Sequence, residues 1–325
     1  MVDRLQPPST LGTSPPPGQS ADPDAARPDG RRDTHDGPTL QRTVSLPMLV
    51  LYGLGTTVGA GIYALTGEVA GEAGLRAPLA FLVSAMAAGV TAVGFAELAG
   101  RLPKAAGEAV FADRAFGRRW FSRAVGLAVL LAGIVAASAI TRAFGGYTAE
   151  LIDGPEWLLA TALVVVLGGL AVSGVRQSVM VAGLFTIVEL FGLVLVVWTG
   201  RDHLPDIVTR ADDLLGPPTS AAGWGGVLGG AFLAFFAFLG FEDMDSVAEE
   251  TRNAPVVLPR AILATLGLTT IVYMLVAAIA VLAVAPATLA ASDAPLALIY
   301  ERAGGDPDVM ASIAALAMVN GALVQ

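Results

Sequence analysis

The chain has 325 residues, of which 54% are apolar and only 14% charged, and its mean hydropathy is +0.68. A soluble domain carries roughly a quarter charged residues, so this composition excludes an ordinary soluble enzyme and a disordered chain alike. The 19 basic and 28 acidic residues sum to −9, the wrong sign for a nucleic-acid partner.

There is no cysteine, and the histidines are His35 and His203 alone. Disulfides, thiol nucleophiles, Cys-ligated zinc and His-based triads therefore have no material. No metal and no cofactor is expected. No HExxH and no nucleotide-binding motif is present, which argues against an intramembrane enzyme and an ATP-driven pump.

Residues 1–45 hold 8 of the 20 prolines and 11 charges. Such a segment cannot bury enough apolar surface to offset its ordering entropy, and it lacks the apolar core of a signal peptide. It is read as a disordered cytoplasmic tail ahead of a membrane domain spanning 46–325. From Leu46 on, apolar runs recur at roughly 46–65, 78–99, 124–147, 157–173, 179–199, 225–248, 259–285 and 309–325. Most reach the ~20 residues a helix needs to cross a bilayer, and they lack a polar face. Eight spans are expected. The last run has 17 residues before Gln325, reaching about 25 Å, so the chain is expected to be truncated.

Basic residues near the run ends set orientation. With the N-terminus inside, ten basic residues fall inside and four outside, and six of the ten lie in the loop 101–123. A cytoplasmic N-terminus in the plasma membrane is expected, with Gly107–Phe116 as a short interfacial helix.

The first run carries Gly53, Gly55, Gly59 and Gly61, each weakening a helix by roughly 1 kcal/mol. In the sixth, an apolar stretch ending at Leu239 meets Gly240, then Glu242, Asp243 and Asp245. Helices interrupted at corresponding positions of two halves point to a transporter site. Breaks in runs one and six suggest a five-helix unit repeated in inverted topology, with the second unit incomplete. The fold class expected is thus an all-α membrane bundle with discontinuous helices 1 and 6. Freed N–H groups and a helix N-terminus can hold a carboxylate, and freed carbonyls an ammonium group, so two facing breaks can hold a zwitterion. The alternative for Gly55-x-x-x-Gly59 is a close helix–helix contact.

At these residues the chain resembles the amino acid–polyamine–organocation superfamily of carriers. Residues Val58–Tyr63 resemble its first-helix motif, Pro103–Gly117 its first cytoplasmic loop, and Phe235–Ile262 its sixth helix and following loop. Gly174–Ser178 fits the loop before helix 5. The loop departs from the usual form at Ala106–Ala109, where family members often have paired glycines and a tyrosine. The resemblance covers about 43–325 of a domain that usually has 12 spans. It implies uptake of amino acids or related amines by alternating access. It also implies that the substrate carboxylate meets the backbone of Gly59, Ala60 and Gly61. The amino group would meet carbonyls near Thr57, Phe236 and Leu239, with Phe236 as an aromatic lid beside Gly240.

Ionisable groups inside a bilayer default to functional hypotheses. Glu189 lies about ten residues into the fifth run, near mid-membrane. The resemblance implies that it takes the place of a lysine that sits, in some related carriers, near a sodium position of sodium-coupled relatives. It is the expected proton-coupling group; a structural carboxyl bonded to a neighbouring helix is the alternative. Glu242 follows the sixth-run break, where a second half-helix N-terminus favours negative charge. It is expected to bind substrate or carry a proton, or else only to cap. Asp243 and Asp245 are expected solvated or paired with Arg252, Arg142 snorkelling to the interface, and Glu97 in a structural pair. The partners expected are an amino acid or related amine, protons and the lipid bilayer. A polyamine or organic-cation exchanger and a non-transporting fragment are the competing readings.

Overall fold

Apolar runs with no polar face satisfy their backbone away from water by forming helices. A computed structural model describes residues 42–102, 107–149, 151–173 and 175–324. Most of the expected tail, loop residues 103–106 and Gly174 lie outside the described residues. The helices are α1 (Leu46–Thr57), α2 (Ala60–Ala73), α3 (Ala77–Arg101), α4 (Gly107–Phe116), α5 (Arg119–Ala149), α6 (Glu156–Ser173) and α7 (Val175–Thr199). The short α8 (Leu204–Thr209) and α9 (Ala211–Leu215) lead to α10 (Ala221–Phe238). Then come α11 (Ala254–Ala283), α12 (Pro286–Ala290), α13 (Pro295–Arg302) and α14 (Pro307–Val324). Among the described residues there is no strand, only a single parallel bridge between Val44 and Thr251.

The fold is all-α, and each apolar run became helix. Five helical stretches are long and apolar enough to cross a membrane: Ala60–Arg101, Arg119–Ala149, Leu184–Thr209, Ala221–Glu250 and Ala254–Ala283. The other runs of the sequence form the shorter apolar helices Leu46–Thr57, Glu156–Leu170 and Pro307–Leu323. The first run is short because it breaks at Val58 and Gly59. The interfacial helix appears at Gly107–Phe116 as α4.

Outside and inside are both apolar, and on α3 most of the buried residues are alanines. On α3, Ala77, Ala80, Ala88, Ala92, Ala96 and Ala99 are buried, while Met86, Val90 and Val93 are exposed. This small-residue face packs along α11, and α2 packs along α10. Small residues let helix backbones approach closely where no hydrophobic effect drives association. Gly61 is one such point: a Cβ there would stand 2.6 Å from the Ala237 backbone. The large exposed side chains Leu130, Val135 and Phe232 form a surface suited to lipid and not to water.

Buried tyrosines bind separate helices together. Tyr147 on α5 donates to the Tyr63 carbonyl on α2 at 2.7 Å, and Tyr63 donates to the Glu189 carbonyl on α7, also at 2.7 Å. Ahead of α1, Val44 N–H donates to Glu250 O and Arg252 N–H to Val44 O, each at 3.0 Å. The chain entering α1 is thereby strapped to the chain entering α11.

Candidate functional site

Every helix end leaves backbone groups without intrahelical partners, and here two ends meet inside the bundle. At the end of α1, Val58 N–H donates to Leu54 O at 2.7 Å and Gly59 N–H turns back to Thr57 O at 3.2 Å. α2 restarts at Ala60, so the amides of its first turn face the gap. At the end of α10, Leu239 N–H donates to Phe236 O at 3.2 Å. Gly240 then adopts φ +118°, a region open to glycine and costly for other residues. A Cβ at Gly240 would also collide with the Thr56 carbonyl. Thr56 closes the junction by donating its hydroxyl to Gly240 O at 2.7 Å.

The chain past Gly240 corrects one expectation. It forms 3₁₀ turns over Glu242–Glu250, kinked at Val247, and not a second α-helical half. Five acids stand in these nine residues, and like charges at i,i+3 and i,i+4 disfavour the α form. The strong dipole expected to act on Glu242 is therefore missing. Glu242 caps the turn instead, its Oε2 accepting from Gly240 N–H at 2.8 Å. Asp245 is buried, not solvated, and its Oδ2 has no hydrogen-bond partner among the described residues. Arg252 donates to the Arg42 carbonyl at 3.2 Å rather than pairing with it.

Between the breaks lies a small cleft of about 30 Å³, room for about two waters. Of the residues singled out in the sequence, Thr57, Gly59, Ala60, Gly61, Phe236 and Leu239 line it together, while Gly240 and Glu242 stand outside the lining. Gly55, Thr56 and Ala237 join from the same turns. Ile140 of α5 and Gly321 of α14 complete it, and sequence reasoning missed both. Each is one small or apolar residue within a uniformly apolar run, so nothing marks it as inward-facing. The Thr57 carbonyl, expected to face an amino group, already accepts from the Tyr273 hydroxyl at 2.8 Å as well as from Gly59.

Glu189 lies beside the α1 break. It is 0% exposed, and no basic side chain among the described residues pairs with it. A Cβ on Gly59 would stand 4.0 Å from its Oε2. The Asn320 side chain of α14 neighbours it and donates to Thr186 at 3.4 Å. Gly55, four residues before Gly59, packs so closely on Thr186 that a Cβ would come within 2.5 Å of its hydroxyl oxygen. The two glycines thus answer to different causes, one a helix contact and the other the break.

Glu97, Arg142, His203 and three of the tryptophans are peripheral. Glu97 pairs with Arg101 at 2.5 Å on an exposed face. Arg142 is exposed, His203 lies 3.7 Å from Asp206, and Trp157, Trp198 and Trp224 are exposed at helix ends.

An all-helical bundle with an apolar exterior and two broken helices around an internal cleft defines a multi-pass membrane protein of the carrier class. The chain belongs to the amino acid permease family, whose model matches residues 44–324. It is 28% identical over 287 residues to a branched-chain amino acid permease of Bacillus subtilis, covering 82% of this chain and 60% of that protein. It is 31% identical over 268 residues to the vacuolar cationic amino acid transporter 2 of Arabidopsis thaliana, covering 75% and 41%. An uncharacterised transporter of Mycobacterium tuberculosis is 33% identical over 279 residues, covering 86% and 61%. The chain therefore spans between two fifths and three fifths of the length of these relatives.

Proposed function

We propose that this chain forms the substrate-binding portion of a secondary carrier that takes up amino acids by alternating access, coupled to protons through Glu189. The observation that carries the reading is the placement of a wholly buried carboxyl, with no basic partner among the described residues, beside a cleft built from two broken helices. Burying an ionised carboxylate without a partner costs far more than burying the neutral acid. Loading a proton on Glu189 therefore suits the closed cleft, and releasing it requires access to water. That coupling makes one proton's passage conditional on the conformational change that moves substrate.

Binding follows from the breaks. Amides at the start of α2 receive the carboxylate, and carbonyls of the α1 and α10 ends that remain available receive the amino group. Phe236 and Ile140 supply the apolar wall. The pairing of segment one with segment six, and of two with seven, supports a five-plus-five inverted repeat. The basic loop around α4 supports an N-terminus on the cytoplasmic side of the plasma membrane, with residues 1–45 as a tail.

A second reading is exchange of polyamines or other organic cations. Buried Asp245, with an oxygen left without a partner beyond Gly240, is the observation that favours it. Competition separates the two: decarboxylated analogues compete fully with a cation exchanger and weakly with an amino acid carrier.

The direct test is uptake of radiolabelled amino acids into proteoliposomes, with and without an inward proton gradient, for wild type and Glu189→Gln. Gradient-driven accumulation is expected in wild type and lost in Glu189→Gln, with exchange retained. Wild-type uptake indifferent to the gradient would refute the coupling role.

A further inference from the structure

Arginines crowd one corner of the bundle. Arg114, Arg118, Arg119 and Arg123 fall within ten residues, at the elbow where α4 turns into α5. All four are exposed, and none makes an ion pair among the described residues. Of the acids in the same stretch, Glu108 lies inward near Asp245, and only Asp113 stands exposed. In a chain whose net charge is −9, this is an unneutralised positive patch. The elbow is also a fixed frame. Gly117 turns the chain at φ +60°, Ser122 donates its hydroxyl to Ala109 O at 2.6 Å, and Phe111 packs edge-on to Phe95 at 6.0 Å.

Aromatic and aliphatic side chains continue from the arginines. Phe116 and Trp120 are 63% and 65% exposed, and both lean on Phe121, at 4.8 and 5.7 Å. Such rings suit the headgroup level of a bilayer and not free water. Trp120 and Arg123 share a face of α5 with Leu127, Leu130, Leu131 and Ile134, at the three- and four-residue spacings of one helix side. These four aliphatics are exposed. From Arg123 to Ile134 the helix rises about 16 Å, close to the ~15 Å depth of one leaflet's hydrocarbon. Charge, then ring, then aliphatic is the profile of a phospholipid read from headgroup to acyl chain. The other charged candidate, the segment 1–41, carries six acids against four arginines, too even a balance to match the patch.

We propose that the α4–α5 elbow is a binding site for an anionic phospholipid: the arginines hold the phosphodiester headgroup, and the α5 stripe holds an acyl chain. Guanidinium groups suit this role, because they bind phosphate oxygens in pairs and keep their charge at the membrane surface. A zwitterionic lipid meets the same stripe but brings its own cation to the arginines. The elbow therefore discriminates by headgroup and not by chain. Arginines near the surface each add to the attraction for anionic lipid, so affinity falls with every one neutralised and with rising salt. None of these residues lines the cleft, and the assignment does not depend on what the cleft carries.

The experiment places the full chain in phosphatidylcholine bilayers with a minor fraction of brominated phosphatidylglycerol and reads the quenching of tryptophan fluorescence, which requires contact with the brominated lipid. The difference between wild type and Trp120→Phe isolates Trp120 from the other tryptophans. Brominated phosphatidylglycerol is expected to quench Trp120 more strongly than brominated phosphatidylcholine at the same fraction. Arg118→Gln with Arg119→Gln is expected to lower the apparent association constant for phosphatidylglycerol about thirtyfold. Arg302→Gln, at an exposed arginine elsewhere, leaves it intact. Where the first pair does not survive purification, Arg114→Gln with Arg123→Gln takes its place with the same expected loss. Equal quenching by the two lipids, or a preference untouched by neutralising the elbow, would overturn the proposal. Displacement of the lipid by soluble glycerol phosphate would assign the patch to a free phosphate ester, and a preference that emerges only on deleting residues 1–41 would assign it to that segment; either result overturns the lipid site. No transport enters these measurements, so failure of the carrier reading and failure of this one are separate results.

Discussion

At the scale of single residues, the glycines of the two breaks are not interchangeable. Gly240 is required twice, by its positive φ and by its contact with the Thr56 carbonyl. Gly240→Ala is expected to destabilise the protein by about 1–3 kcal/mol, read as a lower melting temperature in detergent, and to abolish uptake. Gly61 is required by proximity alone, since its neighbour across the gap is the Ala237 backbone, which cannot step aside. Gly61→Val is expected to push α2 from α10 and eliminate uptake, while circular dichroism retains the helical signal. Both breaks were legible in the sequence, because glycines and acids interrupt otherwise apolar runs. Tyr273, Ile140 and Gly321 were not. Each sits in a run without a polar face, so periodicity carries no information about which way the helix is turned.

At the scale of elements, the strap from Val44 to Thr251 determines how the chain enters the bundle. It is built from main-chain groups, with Val44 N–H donating to Glu250 O at 3.0 Å. No side-chain pattern announces such pairing, and the sequence reading put Val44 at the margin of a tail and Glu250 in the loop after the sixth run. Val44→Pro removes the donor. Because the chain has no native cysteine, Thr251→Cys reports on the strap without background. Thr251 is 0% exposed; its labelling by a maleimide is expected to accelerate about tenfold when Val44→Pro is added. The turn after α10 shows the complementary limit. Its acids were visible in the sequence, but their mutual repulsion decided for 3₁₀ turns over the α-helix that the surrounding run suggested.

At the scale of the whole molecule, what matters is sidedness. The all-helical class was legible because composition alone forbids a water-soluble exterior, and the pairing of distant helices followed from where the interruptions fall. Which end faces the cytoplasm rests on the basic loop around α4. Single cysteines at Arg118→Cys and Asp153→Cys, both at exposed positions, test it directly. An impermeant reagent added to intact cells is expected to label position 153 and spare position 118.

The clasp between Thr56 and Gly240 joins groups 184 residues apart. At ribosomal rates of 5–20 residues per second, about 10 to 40 s separate the emergence of the two. Through that interval the interrupted first helix exists without the segment that closes its open turn, and unmet backbone groups in hydrocarbon cost several kcal/mol each. Biosynthesis must therefore shelter the first helix, in the insertion machinery or against water, until the sixth arrives. The junction of the two interrupted helices cannot close before the sixth run is made, and this constrains the order in which the nascent chain can leave the insertion site.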